Sequence, residues 1–196
     1  MYEIRFPKMN CEKLTLQQIR GMEGIRVRKA YQAASKINGI PWKKRDYKQT
    51  EWQDSDGVNR ALSAANAVLY SVCQAAIYSL GYSSALGFVH TGKMLSFVYD
   101  VADLYKAETT IPVAFEAVKR NAGNPETEVR ALCRKYFHAV NLMQRIARDL
   151  AWLFEDAENE QQTEKATGDL WDDEGGIVAG GVNYAEGEGC DDCSSD

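Results

Sequence analysis

The residues with the most chemistry to offer begin in one short stretch, Phe97-Val98-Tyr99-Asp100-Val101-Ala102-Asp103. Asp100 and Asp103 stand three apart, so on a helix their carboxylates share a face and are close enough to hold one cation between them. Apolar neighbours on both sides predict a partly buried face, where two like charges repel unless something positive lies between them. Two solvated acids on an amphipathic helix would give the same pattern. Ten residues earlier comes His90, one of two histidines, in Gly87-Phe88-Val89-His90-Thr91-Gly92-Lys93. Its flanking glycines let the backbone bend sharply and approach a side chain or a phosphate. It reads either as a ligand folded back on the aspartate pair or as a hydrogen-bonded core histidine. The third candidate is Glu23, in Arg20-Gly21-Met22-Glu23-Gly24-Ile25-Arg26-Val27-Arg28. Two glycines in a helical pattern cost about 1 kcal/mol each relative to Ala. That predicts a close approach of another backbone or a ligand beside Glu23; the alternative is helix packing at Gly21 and Gly24 with Glu23 merely exposed.

The elements that must position these groups are helices. Leu14 to about Asn38 carries Leu16, Ile19, Met22, Ile25 and Val27 near helical spacing, with Thr15 as N-cap and Gly39 and Pro41 as its end. Trp42–Asp56 reads as a polar, basic loop. Val58–Leu80 is a long Ala-rich helix, apolar nearly all round and therefore central to the core. Gly81–Gly92 is a Gly/Ser-punctuated connection. Leu95 to about Ala107 and Thr109–Arg120 follow as helices, with Pro112 tolerated in a first turn. Glu126 to about Glu155 reads as one long basic amphipathic helix. No hairpin signal and no internal repeat is found. The expected fold class is all-α, with a helical domain over residues 1–155 and an acidic tail over 156–196 that is too poor in large apolar residues to offset its ordering entropy and is expected to be disordered.

Charge follows the same division. The net charge of −5 combines a tail from Glu155 to Asp196 with 14 acids and one base, Lys165, and a remainder with 22 Lys+Arg against 14 Asp+Glu, a net +8. A basic body suits a polyanion partner, although an ordinary solvated surface gives the same balance. Lys43-Lys44-Arg45-Asp46-Tyr47-Lys48 and Trp52 mix cations with aromatics, a combination that suits single-stranded nucleic acid, though loop aromatics also cover core edges. Lys93 and Lys106, near the aspartates, can offset phosphate charge or be plain surface lysines. Of five cysteines, Cys11, Cys73 and Cys133 read as small buried residues. Cys190 and Cys193 form a lone C-x-x-C with no second ligand pair, too little for a zinc site. The N-terminus lacks the apolar run of a signal peptide, and no apolar run reads as long enough to span a bilayer, so a cytoplasmic protein without membrane contact is expected.

Arg20–Arg28, Gly87–Lys93 and Leu95–Asp103 together resemble the CRISPR-associated adaptation integrase, the I-E subtype in particular. The similarity runs from about Arg5 to about Arg134, in order and with matching spacing. It implies the helical catalytic domain of that family without the family's N-terminal β-rich domain, Met1 falling where the linker into the helical domain would lie. It implies a metal held by Glu23, His90 and Asp103, with Asp100 as a second acid required for activity, either near the metal or orienting a ligand. Oxygen ligands suit Mg²⁺, and the imidazole tilts the site toward Mn²⁺.

The implied reaction is attack of a captured DNA's 3′-hydroxyl on a phosphodiester at the CRISPR repeat, which is spacer acquisition. The resemblance places Tyr47, Trp52, Tyr70 and Tyr99 along the path of a 3′ end, and Arg20, Arg28 and Arg130 at basic positions facing phosphates or the partner. Asp46 stands where the subtype more often has Arg. The implied partners are duplex DNA with 3′ single-stranded ends, CRISPR repeat DNA, a second copy of the chain and a small partner subunit. The other reading is a catalytically incompetent fragment that only binds DNA or that partner.

Overall fold

A computed structural model describes residues 1–45, 56–161, 170–172 and 176–178. The chain divides into two compact units, Met1–Leu153 and Phe154–Asp196. In the first unit, all described regular structure is helical: α1 (Tyr2–Arg5), a 3₁₀ turn (Cys11–Lys13), α2 (Leu16–Asn38), α3 (Gly57–Ser79), α4 (Ser96–Tyr105), α5 (Thr110–Arg120), α6 (Pro125–Ala139) and α7, which begins at Leu142 and runs to Gln161.

The core is built around α3, which packs against α4, α5 and α6, while α2 lies on α5. Ala61, Leu62, Ala65, Leu69, Cys73, Ala76 and Ile77 of α3 are fully buried. By length and composition alone this 23-residue helix is apolar enough to cross a membrane. That corrects the expectation that no such segment exists, and the physical reason for its apolarity is visible: three helices enclose it. From α5, Phe115 joins the stacked pair Tyr31–Trp42, whose ring centroids are 4.4 Å apart, and so ties α2 and the segment after it to the core.

Local signals set the helix ends. Thr15 and Gln18 form a reciprocal capping box at the start of α2, and Gly39 closes that helix in the left-handed conformation at φ 68°. Asp56 caps α3 through Asn59 N–H, and Asn124 caps α6 ahead of Pro125.

Four expectations change. Residues 1–10, which carry no clear sequence signal, contain the single turn α1. The long helix expected over 126–155 is two helices, interrupted at Asn141, which takes a positive φ of 49°. Cys11 is only half-buried, unlike Cys73 and Cys133. The second unit, expected to lack regular structure, contains the end of α7 and two short antiparallel strands, β1 (Leu170–Asp172) and β2 (Gly176–Val178), paired Leu170 to Val178 and Trp171 to Ile177. Each strand is only three residues long, Leu-Trp-Asp and Gly-Ile-Val, too short a run to register as a strand in sequence.

Candidate active site

The segment between α3 and α4 is shaped around one buried carboxylate. Asp100 is fully buried. One of its oxygens, Oδ2, accepts from the backbone N–H groups of Phe88 and Val89, the latter at 2.8 Å. The other, Oδ1, accepts from His90 N–H at 3.0 Å and pairs with His90 Nδ1 at 2.6 Å. Three successive N–H groups thus wrap an anion, and the charge they surround fixes the imidazole. With Asp100 ionised, Nδ1 carries the proton and donates, which leaves Nε2 as the ring's lone-pair nitrogen. This is the arrangement by which a carboxylate aims a histidine at a metal or a substrate.

Other groups brace the same segment. Ser84 Oγ donates to Met94 C=O at 2.8 Å, and Phe97 N–H donates to Ser84 C=O at 2.9 Å. Phe88 meets Phe97 edge to face at 5.6 Å. At Gly87 a Cβ would stand 2.1 Å from the His90 carbonyl oxygen and 2.7 Å from Ser96 Cβ, so only glycine fits.

Asp103, one turn beyond Asp100, points elsewhere. It lines a cleft of about 590 Å³ whose walls also carry Glu23, Tyr70, Lys93, Tyr99 and Lys106. Tyr99 links the cleft to the histidine, its ring centroid lying 5.9 Å from that of His90. Tyr70 and Tyr99 meet edge to face at 5.1 Å. Lys106 Nζ is 2.7 Å from Asp103 Oδ1 and 4.8 Å from the Tyr70 ring centroid, a cation over an aromatic face. Burial works to lower the Lys106 pKa, but the charge of Asp103 and the Tyr70 phenol outweigh it and hold the ammonium above its ordinary value. Glu23 is clamped between two guanidinium groups, Arg5 at 3.4 Å and Arg26 at 3.3 Å.

The expectation that Asp100 and Asp103 share a cation is therefore not met. The oxygens of Asp100 are taken up by the His90 segment, and the two carboxylates serve different surroundings. Among the described residues a Cβ at Gly21 or Gly24 would meet nothing within 4 Å, so neither another backbone nor a packing helix approaches these glycines there. That face of α2, with exposed Arg20 and Arg28, is open.

Of the expected polyanion contacts, Tyr70, Lys93, Tyr99, Lys106 and Arg45 gather at the cleft, Arg45 held by Asn59 and Ser63 at 2.8 and 2.7 Å. Arg130 does not: it is exposed and lines a separate groove with Val68, Val72, Arg134 and Phe137. Tyr47, Trp52, Cys190 and Cys193 lie outside the described residues.

Four contributors escaped the sequence reading. Arg26 sits at i+3 from Glu23, a spacing that signals an ion pair. Ser63 and Asn66 line the cleft as two of the polar positions on the largely apolar α3. Arg5 carries no local signal, since it reaches Glu23 from a separate element.

Among the described residues, no three His, Cys, Asp or Glu side chains stand close enough together to enclose a metal as they are. The donor types nonetheless fit a hard divalent cation with some affinity for nitrogen: two carboxylates on one cleft, and an imidazole already oriented by a buried acid.

The model of the CRISPR associated protein Cas1 family matches residues 6–149. The chain belongs to the Cas1 family. The CRISPR-associated endonuclease Cas1 2 of Thermus thermophilus is 45% identical over 201 residues, which cover 98% of this chain and 62% of that protein. The CRISPR-associated endonuclease Cas1 of Escherichia coli is 44% identical over 146 residues, covering 74% of this chain and 48% of that one. The chain thus spans between about half and three-fifths of the length of these curated relatives. Among solved structures, the TtCas1–DNA complex superposes with a TM-score of 0.73 at 50% identity, over 78% of this chain and 57% of that chain. The helical body described above is thus a Cas1 fold.

Proposed function

We propose that this chain carries the catalytic centre of a metal-dependent DNA endonuclease and integrase of CRISPR adaptation, of the I-E type, and forms its helical catalytic domain. The observation that carries the reading is the buried Asp100, which sets His90 beside a cleft holding the carboxylates of Glu23 and Asp103. In a family whose relatives are named endonucleases, and one of whose solved structures is a DNA complex, this donor set suits phosphodiester chemistry.

Glu23, His90 and Asp103 would hold Mg²⁺ or Mn²⁺, and the ion would stabilise charge that develops on the phosphoryl oxygens. The chain's own residues do the rest. Asp100 fixes the imidazole through Nδ1, which leaves Nε2 as the ring nitrogen for a ligand. Tyr70 and Tyr99 offer ring faces and edges to unstacked bases of a 3′ end. Lys93 and Arg45 draw the phosphate backbone to the cleft wall. The reading extends to assembly as a pair of chains with a small partner subunit, to captured duplex and CRISPR repeat DNA as substrates, and to the cytoplasm as location.

The test is a strand-rejoining assay on labelled branched DNA that mimics a half-integrated product, with Mn²⁺ or Mg²⁺, beside Asp103→Ala and His90→Ala. Metal-dependent rejoining, lost in both variants, is expected. DNA binding without any rejoining by the unsubstituted chain would replace the reading with that of a binding module.

A further inference from the structure

Each carboxylate on the cleft already has a cation. Asp103 Oδ1 holds Lys106 Nζ at 2.7 Å. Glu23 Oε1 faces Arg5 Nη1 at 3.4 Å, and Glu23 Oε2 faces Arg26 Nε at 3.3 Å. Three positive charges thus oppose two negative ones where the proposed function needs a divalent cation. A second cation on Asp103 Oδ1 would lie within a few ångströms of the ammonium, and the repulsion between the like charges disfavours it while Lys106 stays in place.

The three cations differ in freedom. The Arg5 side chain is only 5% exposed, and among the described residues its Nε has no hydrogen-bond partner. Arg26 is anchored a second time, on the Leu104 carbonyl at 3.4 Å. Lys106 has a second contact too, its Nζ lying 4.8 Å from the Tyr70 ring centroid, but its place differs. It lines the cleft itself on a flexible four-carbon stem, with Lys93 on the same wall. A phosphate entering this cleft offers Lys106 an acceptor as good as Asp103.

We propose that Lys106 keeps Asp103 closed to divalent metal until a DNA phosphate draws it away, so that metal and DNA bind as a coupled pair, while Arg5 and Arg26 hold Glu23 in place for the same exchange. This rests on the function proposed above and adds an order to it. Lys106 is then a positioning residue that trades one anion for another. By linkage, DNA must tighten metal binding by the same factor by which metal tightens DNA binding.

The experiment is a Mn²⁺ titration of the full chain, read by the electron paramagnetic resonance signal of free Mn²⁺. It is run with and without a short duplex carrying 3′ single-stranded ends, with uptake by DNA alone subtracted. For the unsubstituted chain, DNA should tighten Mn²⁺ binding on the order of tenfold. Lys106→Met should bind Mn²⁺ tightly without DNA and gain little when DNA is added, whereas Lys106→Arg, which keeps a cation on Asp103, should behave as the unsubstituted chain does. Equal Mn²⁺ affinity in Lys106→Met and the unsubstituted chain without DNA would overturn the exchange. So would an Asp103-dependent site whose affinity ignores DNA, though that result would leave the proposed function standing. Mn²⁺ uptake that Asp103→Ala does not alter would remove the proposed function and this inference together.

Discussion

The Asp100 carboxylate grips His90 twice, at its backbone N–H and at ring Nδ1, through a single oxygen. The grip does not depend on any ligand, so the imidazole is set before metal or DNA arrives. Asp100→Asn keeps the size but loses the charge, and one of its two acceptor sites becomes a donor facing backbone N–H groups. Each backbone donor left without a partner costs about 1–3 kcal/mol. Loss of the outer partner of a ligating histidine lowers activity about 10- to 100-fold. Urea unfolding and the branched-DNA assay should therefore both report a loss in Asp100→Asn. A variant with full stability and full rejoining activity would show that the grip is incidental.

The glycines make opposite predictions. At Gly87 an added methyl strikes the His90 carbonyl at 2.1 Å and the α4 backbone at Ser96, so the segment must move and take His90 with it. Gly87→Ala should lose at least about tenfold in rejoining, while binding of duplex DNA, followed by fluorescence anisotropy, stays near its original value. At Gly21, with nothing within 4 Å among the described residues, alanine gains helix propensity of about 1 kcal/mol. Gly21→Ala should raise the midpoint of urea unfolding; a lowered midpoint would mean that the open face of α2 is covered in solution.

Much of this was readable in the sequence because it rests on local physics. Thr15, Gly39, Pro41 and Pro112 marked helix boundaries through effects that act within a turn, and the alanine-rich run of α3 announced its burial. His90, Asp103 and Glu23 could be singled out by spacing and by the glycines around them. What spacing could not carry was the division of labour between the two aspartates. Residues at i and i+3 share a helix face, yet the α3–α4 segment folds over Asp100 alone and leaves Asp103 to the cleft. Arg5 was invisible for a related reason: its partner Glu23 lies on another element, and only the tertiary fold brings them together.

Asn141 breaks what the apolar periodicity from Val129 to Ile146 describes as one helix. It sits between α6 and α7 with φ 49°, a conformation in which a β-branched side chain is strained, whereas Asn tolerates it and Gly adopts it freely. Asn141→Val should destabilise the chain by about 1–2 kcal/mol, and Asn141→Gly should leave it nearly unchanged. The check is a pair of urea melts. Equal stability of the Val and Gly variants would imply that the two helices can join into one without loss.

Burial also sets a pH signature. It pushes the thiols of Cys73 and Cys133 from the ordinary 9 up to about 12. Both side chains are fully buried, and the thiolate is the form that burial penalises. With the folded pKa above the unfolded one, the unfolded chain loses these protons first as pH rises. The contribution to stability is complete below pH 9 and is lost progressively up to about pH 12. The slope is about 1.4 kcal/mol per pH unit for each thiol within that window. Replacing both cysteines with alanine should flatten the fall in stability between pH 9 and 10.5 relative to the unsubstituted chain, at the cost of a lower plateau near pH 7. Thiol labelling gives an independent reading: at pH 8 half-buried Cys11 should react with a disulfide reagent well before Cys73 and Cys133, whose modification should follow the rate of unfolding. Fast labelling of Cys73 in the folded chain would contradict the enclosure of α3 by its three neighbours, and with it the frame that holds α4 and its two aspartates in place.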